Sequence, residues 1–425
     1  MTLSSLRNSD FAHRKRIRVV PKRYNSPYKS LIQEFHKREI KEDDYFKARK
    51  ILPLGMLNKI SSYSEGFREE DLMGLIIDPQ EHLNLGVVGA SGMGKTRLIK
   101  NIIASYHKQG YKILIFSPKA DEWSSARRKG NGTRLHPEMK NESLPVVTYS
   151  PSFVKHFLEE NELERSTYKY YSHSIKNLKT REMWESLGFS PSVSNFCVSL
   201  VNQGCHKLKD MQKKIQFSTK VHPASKKSAL EKIETMIGTK FANERLKELD
   251  LQSEWDTDNI IAINYFSYKS FMMSADVKII VTKIREYCQK YVRKYGTTQP
   301  VLILFDDCNY YGESIPENKQ SIQSIVDCQI NYRSLGVNCI VGYQYPEVVD
   351  GDIVKGSSSR LVTYVESPSS LNGILPVEAI DVLRLGVDDG GLVVDKRNYN
   401  VEWIYRPEGR EFWRFFPFDC TIGHD

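Results

Sequence analysis

Apolar positions along this chain follow two rhythms. Short runs that are apolar at nearly every position, "YKILIFSP", "NIIAINYFSY" (259–268), "VLILF" (301–305) and "VNCIVGYQYP", read as strands buried on both faces, the pattern of a parallel sheet. Between them lie segments with apolar residues three or four positions apart. "TRLIKNIIASYHKQG" places Leu98, Ile102, Ile103 and Tyr106 at helical spacing and stops at Gly110. "SADVKIIVTKIREYCQKYVRKYG" and the stretch through "QSIQSIVDCQINYRSLG" read the same way. The alternation predicts an α/β fold: a mainly parallel sheet with helices on both faces. It opens near residue 71 with "LIIDPQEHLNLGVVGA", and "GGLVVDKRNYNVEWIYRP" predicts a late hairpin.

The rhythm breaks twice. Between about residues 150 and 256 the chain is polar and helix-like, most clearly in "KKSALEKIETMIGTKFANERLKEL", which predicts a helical insertion into the core. Before residue 71, "RKRIRVVPKR" carries six Lys/Arg between Arg14 and Arg23 and no acid. The following "SLIQEFHKREIKEDDYFKARKILPLGMLNKI" mixes charges on a helical period. The expected organisation is an N-terminal basic arm and helical extension (1–70), then a core (71–425) interrupted by the insertion at about 150–256.

Composition narrows the class. The 425 residues are 27% charged and 40% hydrophobic, the balance of a folded chain. No apolar run approaches the length of a membrane span, and the first thirty residues hold no secretory segment. The seven cysteines form no CxxC pair, and Cys205-His206 lacks a second ligand pair at zinc-finger spacing. Free thiols in a reducing compartment follow, hence a cytoplasmic setting. The net charge of +9 is uneven: residues 297–425 hold ten basic and nineteen acidic side chains, against 51 and 33 in residues 1–296. Such asymmetry suits a polyanion-facing part joined to a neutral scaffold, without distinguishing DNA, RNA or acidic lipid.

One stretch carries unmistakable chemistry. "GASGMGKT" (Gly89, Ala90, Ser91, Gly92, Met93, Gly94, Lys95, Thr96) fits G-x-x-x-x-G-K-[ST] and stands between an apolar strand and an amphipathic helix. Its glycines let backbone N–H groups curl around an anion at a helix N-terminus. Lys95 supplies a point charge for the β- and γ-phosphates, and the Thr96 hydroxyl is a ligand for Mg²⁺. ATP and Mg²⁺ are the expected cofactors.

The run "VLILFDDC" ends in two adjacent carboxylates, Asp306 and Asp307. Like charges that close repel unless water or a cation intervenes. In P-loop folds a second strand end near the loop presents an aspartate that holds the magnesium, which assigns Asp306 to the metal. Asp307 is then the base that polarises the attacking water, its alternative being an N-cap of the next segment. Further on, "KLKDMQKKIQFSTKVHPASKK" (207–227) has seven lysines and one acid, suited to phosphate contacts or to a solvated loop.

The order of the P-loop, "ILIFSPKADEW", "VLILFDD" and "YRSLGVNCIVGYQYP" resembles the HerA/FtsK superfamily of hexameric DNA-pumping ATPases, over about residues 75–400 with a gap at the insertion. The resemblance implies a RecA-like (ASCE) P-loop core. It implies roles for Pro118-Lys119 as the family's Pro-Lys dipeptide, for Gln344 as sensor of the γ-phosphate, and for Arg333 in "RSLG" as the finger reaching a neighbouring subunit. Arg360 in "GSSSRLV" is the competing finger, Gln344 alternatively caps its strand, and Arg333 alternatively ends a helix at the surface. With Asp-Asp in place of the common Asp-Glu, "FDDC" and "YRSLGVNCIVGYQY" are similar to the genome-packaging ATPases of double-stranded DNA viruses. That branch implies a homo-oligomeric ring (hexamer or pentamer), double-stranded DNA bound without sequence specificity, a capsid or portal partner, no membrane span, and host cytoplasm or virion as location. A conjugative or chromosomal DNA pump, and a nucleotide-dependent assembly switch with little turnover, are the alternatives.

Overall fold

A computed structural model of the chain describes residues 17–20, 51–57, 72–76, 83–119, 123, 144–160, 168–242, 246–268, 270–385, 391–392, 394–395, 400–401, 403–406 and 412–417. The strands described are β1 (Ile17–Val20), β2 (Ile51–Leu57), β3 (Leu72–Ile76), β4 (Asn84–Val88), β5 (Lys112–Ser117), β6 (Val146–Pro151), β7 (Lys169–Tyr171), β8 (Ile260–Asn264), β9 (Val301–Phe305), β10 (Val337–Tyr343), β11 (Ser359–Val362), β12 (Val394–Asp395), β13 (Asn400–Val401), β14 (Trp403–Arg406) and β15 (Trp413–Pro417). All but β12 and β13 form one sheet, in the order β1-β3-β2-β15-β14-β11-β4-β10-β9-β5-β8-β6-β7.

From β11 to β7 every neighbouring pair is parallel. From β11 outward through β14, β15, β2, β3 and β1 every pair is antiparallel. The sheet is therefore mixed and mostly parallel. Its antiparallel wing draws β1 and β2 from the N-terminal seventy residues, so Ile51–Leu57, expected at the end of a helical extension, is a strand. Charge periodicity pointed to helix there, but "ILPLGML" contains a proline and a glycine at a register shift between Pro53 and Gly55, where a bulge accommodates both. The rest of the basic arm and the charged stretch lie outside the described residues.

The apolar runs behave as their pattern requires. In β9, Val301, Ile303 and Phe305 face one core, while Leu302 and Leu304 face the other. Alternate residues of a strand point to opposite faces, so a run without polar positions means cover on both sides. On one face lies the helix Lys95–Lys108, through Leu98, Ile99, Ile102 and Ile103. On the other lies the long helix Phe271–Tyr295, with Val277, Ile280, Val281 and Ile284 buried.

Among the described residues of the insertion the one strand besides the end of β6 is β7, which joins the far edge of the main sheet. Its helices are Ser152–Glu160, Arg181–Ser186, Pro191–Asn202, Leu208–Phe217, Pro223–Gly238 and Leu251–Asp256. Glu182 ties it to the core, reaching Lys278 (3.2 Å) and Arg285 (3.2 Å) on the long helix. The late hairpin is present as β12 paired with β13. Among the described residues no helix is long and apolar enough to cross a membrane.

Candidate nucleotide site

Because β4, β5, β9, β10 and β11 run parallel, the segments leaving their C-terminal ends share one edge of the sheet, the usual place for a ligand in an open α/β sheet. The phosphate loop leaves β4 there. Its first two residues remain stitched into the sheet: Gly89 N–H donates to the Tyr343 carbonyl (3.3 Å) and Ala90 N–H to the Tyr364 carbonyl (2.8 Å). A Cβ on Gly89 would lie 2.4 Å from Cγ2 of Thr363, so no side chain fits. Met93 and Ala90 are buried and anchor the loop, whereas Ser91 and Gly92 form its exposed crest.

Gly92 and Gly94 have φ of +78° and +82°, with open space where a Cβ would stand. This left-handed geometry turns successive N–H groups inward at the start of the helix Lys95–Lys108, whose first turn carries no acid. Lys95 is buried, and its Nζ donates to the carbonyls of Gly89 (2.6 Å) and Ala90 (3.1 Å). The ammonium thus lies folded across the loop that a phosphate would enter. Thr96, one residue on, is half-buried.

Asp306 and Asp307 are both buried, and their side chains diverge. Asp306 receives the Asp307 N–H on Oδ1 (3.0 Å) and the indole N–H of Trp123 on Oδ2 (3.0 Å). Asp307 turns the other way because its own φ is +48°. A non-glycine residue in that region is uncommon, and such outliers cluster at functional sites. Its Oδ2 lies 2.8 Å from Nζ of Lys119, and its Oδ1 accepts from Nε2 of Gln344 at 2.8 Å. The short helix Asn309–Gly312 that follows has no side-chain cap. The carboxylate of Asp307 is directed to Lys119 and Gln344 instead.

Gln344 is fixed at both ends, since its N–H donates to Oδ1 of Asn309 (2.8 Å) while its amide reaches Asp307. The structure therefore brings the ends of three strands, β5 through Lys119, β9 through Asp307 and β10 through Gln344, onto one carboxylate. Beside them Cys308 is fully buried, and burial pushes its thiol far above its ordinary value, leaving it inert.

The two arginines separate clearly. Arg333 is exposed, on a short 3₁₀ turn before β10, whereas Gln344 follows the other end of that strand. The seven-residue strand between them spans roughly 20 Å at about 3.3 Å per residue, so Arg333 lies at the opposite edge of the sheet from this site. Arg360 is buried, its guanidinium donating to the carbonyls of Val354 (2.9 Å) and Lys355 (3.5 Å), and burial pulls it below its ordinary value. An interior arginine engaged in this way is a structural brace.

The donor set suits Mg²⁺ arriving with a nucleotide. Among the described residues no group of three His, Cys, Asp or Glu side chains forms a metal cage. A threonine hydroxyl and one carboxylate, with phosphate and water completing the shell, are the hard oxygen ligands this ion takes.

Sequence reasoning missed three neighbours of the site: Trp123, Lys100, whose Nζ lies 5.2 Å from the Trp123 ring centroid, and Asn309. Lys119 was recognised only as half of a dipeptide. Their common signal is position: each lies just beyond a strand end, or one turn into the loop's helix.

No protein-family model and no curated protein matches the sequence. Solved structures do. VirB4 of Thermoanaerobacter pseudethanolicus superposes with a TM-score of 0.54 at 12% identity, covering 88% of this chain and 96% of that one. The bacterial conjugative coupling protein TrwB, lacking its first seventy residues, gives 0.46 at 12% identity over 82% and 89%. The genome packaging NTPase B204 of Sulfolobus turreted icosahedral virus 2 gives 0.34 at 10% identity over 80% and 100%. With the strand order and the phosphate loop, the likeness to VirB4 settles the architecture: the chain has a RecA-like P-loop fold.

Proposed function

We propose that this chain is an ATPase that drives double-stranded DNA through a ring of its own copies, as the packaging motor of a viral genome. The observation that carries the reading is the Asp307 carboxylate, held by Lys119 and Gln344 at the same sheet edge as the phosphate loop. A protein that only bound nucleotide would need the loop but not a positioned base.

In this reading Gly89, Ala90, Ser91, Gly92, Met93 and Gly94 cradle the phosphates with backbone N–H groups, and Lys95 leaves its two carbonyls to meet the β- and γ-phosphates. Thr96 and Asp306 hold Mg²⁺, which when bound neutralises charge on the phosphates. Asp307 accepts the proton of the attacking water. Gln344, hydrogen-bonded to that base and rigidly tied to Asn309, registers whether a γ-phosphate is present. Arg333, remote from its own site and exposed, supplies transition-state charge to the next subunit's site.

The DNA surface is the pair of helices Leu208–Phe217 and Pro223–Gly238. Lys207, Lys209, Lys213, Lys214, Lys220 and Lys227 are exposed there, with no ion pair among the described residues. Phe217 stands 79% exposed beside the turn that joins the helices. Exposed lysines contact phosphates without reading bases.

ATP turnover with and without double-stranded DNA, measured alongside mass in solution, tests the proposal. A ring stimulated by DNA of any sequence is the expected result. A monomer that binds ATP and turns over slowly regardless of DNA would establish the switch reading instead.

A further inference from the structure

Trp123 occupies an unusual position, since it joins the two elements whose polar groups face the nucleotide. It is 4% exposed, and its indole N–H donates to Oδ2 of Asp306 at 3.0 Å. Its ring lies against the ammonium of Lys100, itself buried, on the helix Lys95–Lys108. Lys100 is four residues beyond Thr96 and therefore on the same helix face. The indole thus spans from the face that carries Thr96 to the strand end that carries Asp306.

Asp306 accepts from a neutral donor on each oxygen: the Asp307 N–H at Oδ1 and the indole at Oδ2. Neutral donors fix the plane of a carboxylate without discharging it. Asp307 is met by the Lys119 ammonium. Adjacent carboxylates are thereby assigned different partners, and Trp123 makes part of the difference.

We propose that Trp123 is a positioning residue for magnesium: it sets the rotamer of Asp306 and the spacing between Asp306 and Thr96. The inference rests on the reading of Asp306 as the metal-holding aspartate. Groups that orient a ligand from behind typically account for ten- to hundredfold in metal affinity.

The test uses the full-length protein. ATP binding is measured in EDTA and across a Mg²⁺ titration, for the unaltered chain, Trp123→Phe, Asp306→Asn and the double variant. Trp123→Phe should bind ATP normally in EDTA yet need about tenfold more Mg²⁺ to reach its full affinity. In the Asp306→Asn background the same change should have no further effect. An unchanged Mg²⁺ requirement, or an undiminished effect without Asp306, overturns the proposal. Failure of the unaltered chain to bind ATP even at saturating Mg²⁺ would strike the nucleotide site itself, a different result. Should Trp123→Phe not fold, 5-fluorotryptophan labelling of the unaltered chain serves. With Mn²⁺ and ATP, one of the five tryptophan resonances should broaden well beyond the rest, and uniform behaviour of all five overturns the proposal.

Discussion

Nζ of Lys119 lies 2.8 Å from Oδ2 of Asp307, and Gln344 holds the other oxygen of that carboxylate at the same distance. A base so held is fixed in orientation at both of its oxygens. Asp307→Asn should leave ATP binding intact and cut turnover by a factor of about 10² to 10⁴, read by single-turnover hydrolysis. Normal turnover would dismiss Asp307 as the base.

Lys95→Ala removes the charge that now spans the Gly89 and Ala90 carbonyls. Hydrolysis should become undetectable and ATP affinity should fall, as followed by nucleotide-binding titration. Retained turnover would remove the phosphate-loop assignment altogether.

Gly89→Ala offers a test of the loop's construction separate from its chemistry. The added methyl meets Cγ2 of Thr363 at 2.4 Å, an overpacking that costs about 1–3 kcal/mol. Thermal unfolding should show the loss. Thr363→Ser, which deletes that methyl and keeps the hydroxyl, should restore most of it in the double variant, and absence of rescue would mean that the clash is not the cause.

Arg333 and Arg360 are separable by mixing. Arg333→Ala subunits and Lys95→Ala subunits are each expected to be inactive alone. Mixed rings should regain part of the ATPase rate, because an intact site then meets an intact finger across some interfaces. No recovery in intact rings would argue against Arg333. Arg360→Met should instead lower the melting temperature of every species, since the carbonyls of Val354 and Lys355 lose their donor.

Replacing Lys207, Lys209, Lys213 and Lys214 by Gln should weaken binding to all DNA sequences alike. The slope of log affinity against log salt should become shallower by about 0.9 for each phosphate that the lysines no longer neutralise. An unaltered slope would reduce these helices to a solvated surface.

Much of this was legible in the residues. Glycines at 89, 92 and 94 before a lysine have few uses other than an anion cradle, and "VLILF" can only be a strand covered on both faces. What escaped depended on the meeting of distant segments. Nothing local to Trp123 announces that it will meet Asp306, 183 residues away. Likewise Ile51–Leu57 becomes a strand because β15 and β3 lie beside it, a partnership that charge periodicity cannot register. Arg360, the competing finger on sequence grounds, lies in a strand between β4 and β14, a burial that its local sequence does not announce.

β10 runs from Val337, shortly after the turn that holds Arg333, to Tyr343, the residue before Gln344. In a ring of the proposed kind this single strand has one end at its own ATP and the other at its neighbour's. The register of β10 against β4 and β9 then acts as a mechanical linkage of set length. Firing order around such a ring would be written into the rigidity of seven residues, with no need for a separate messenger.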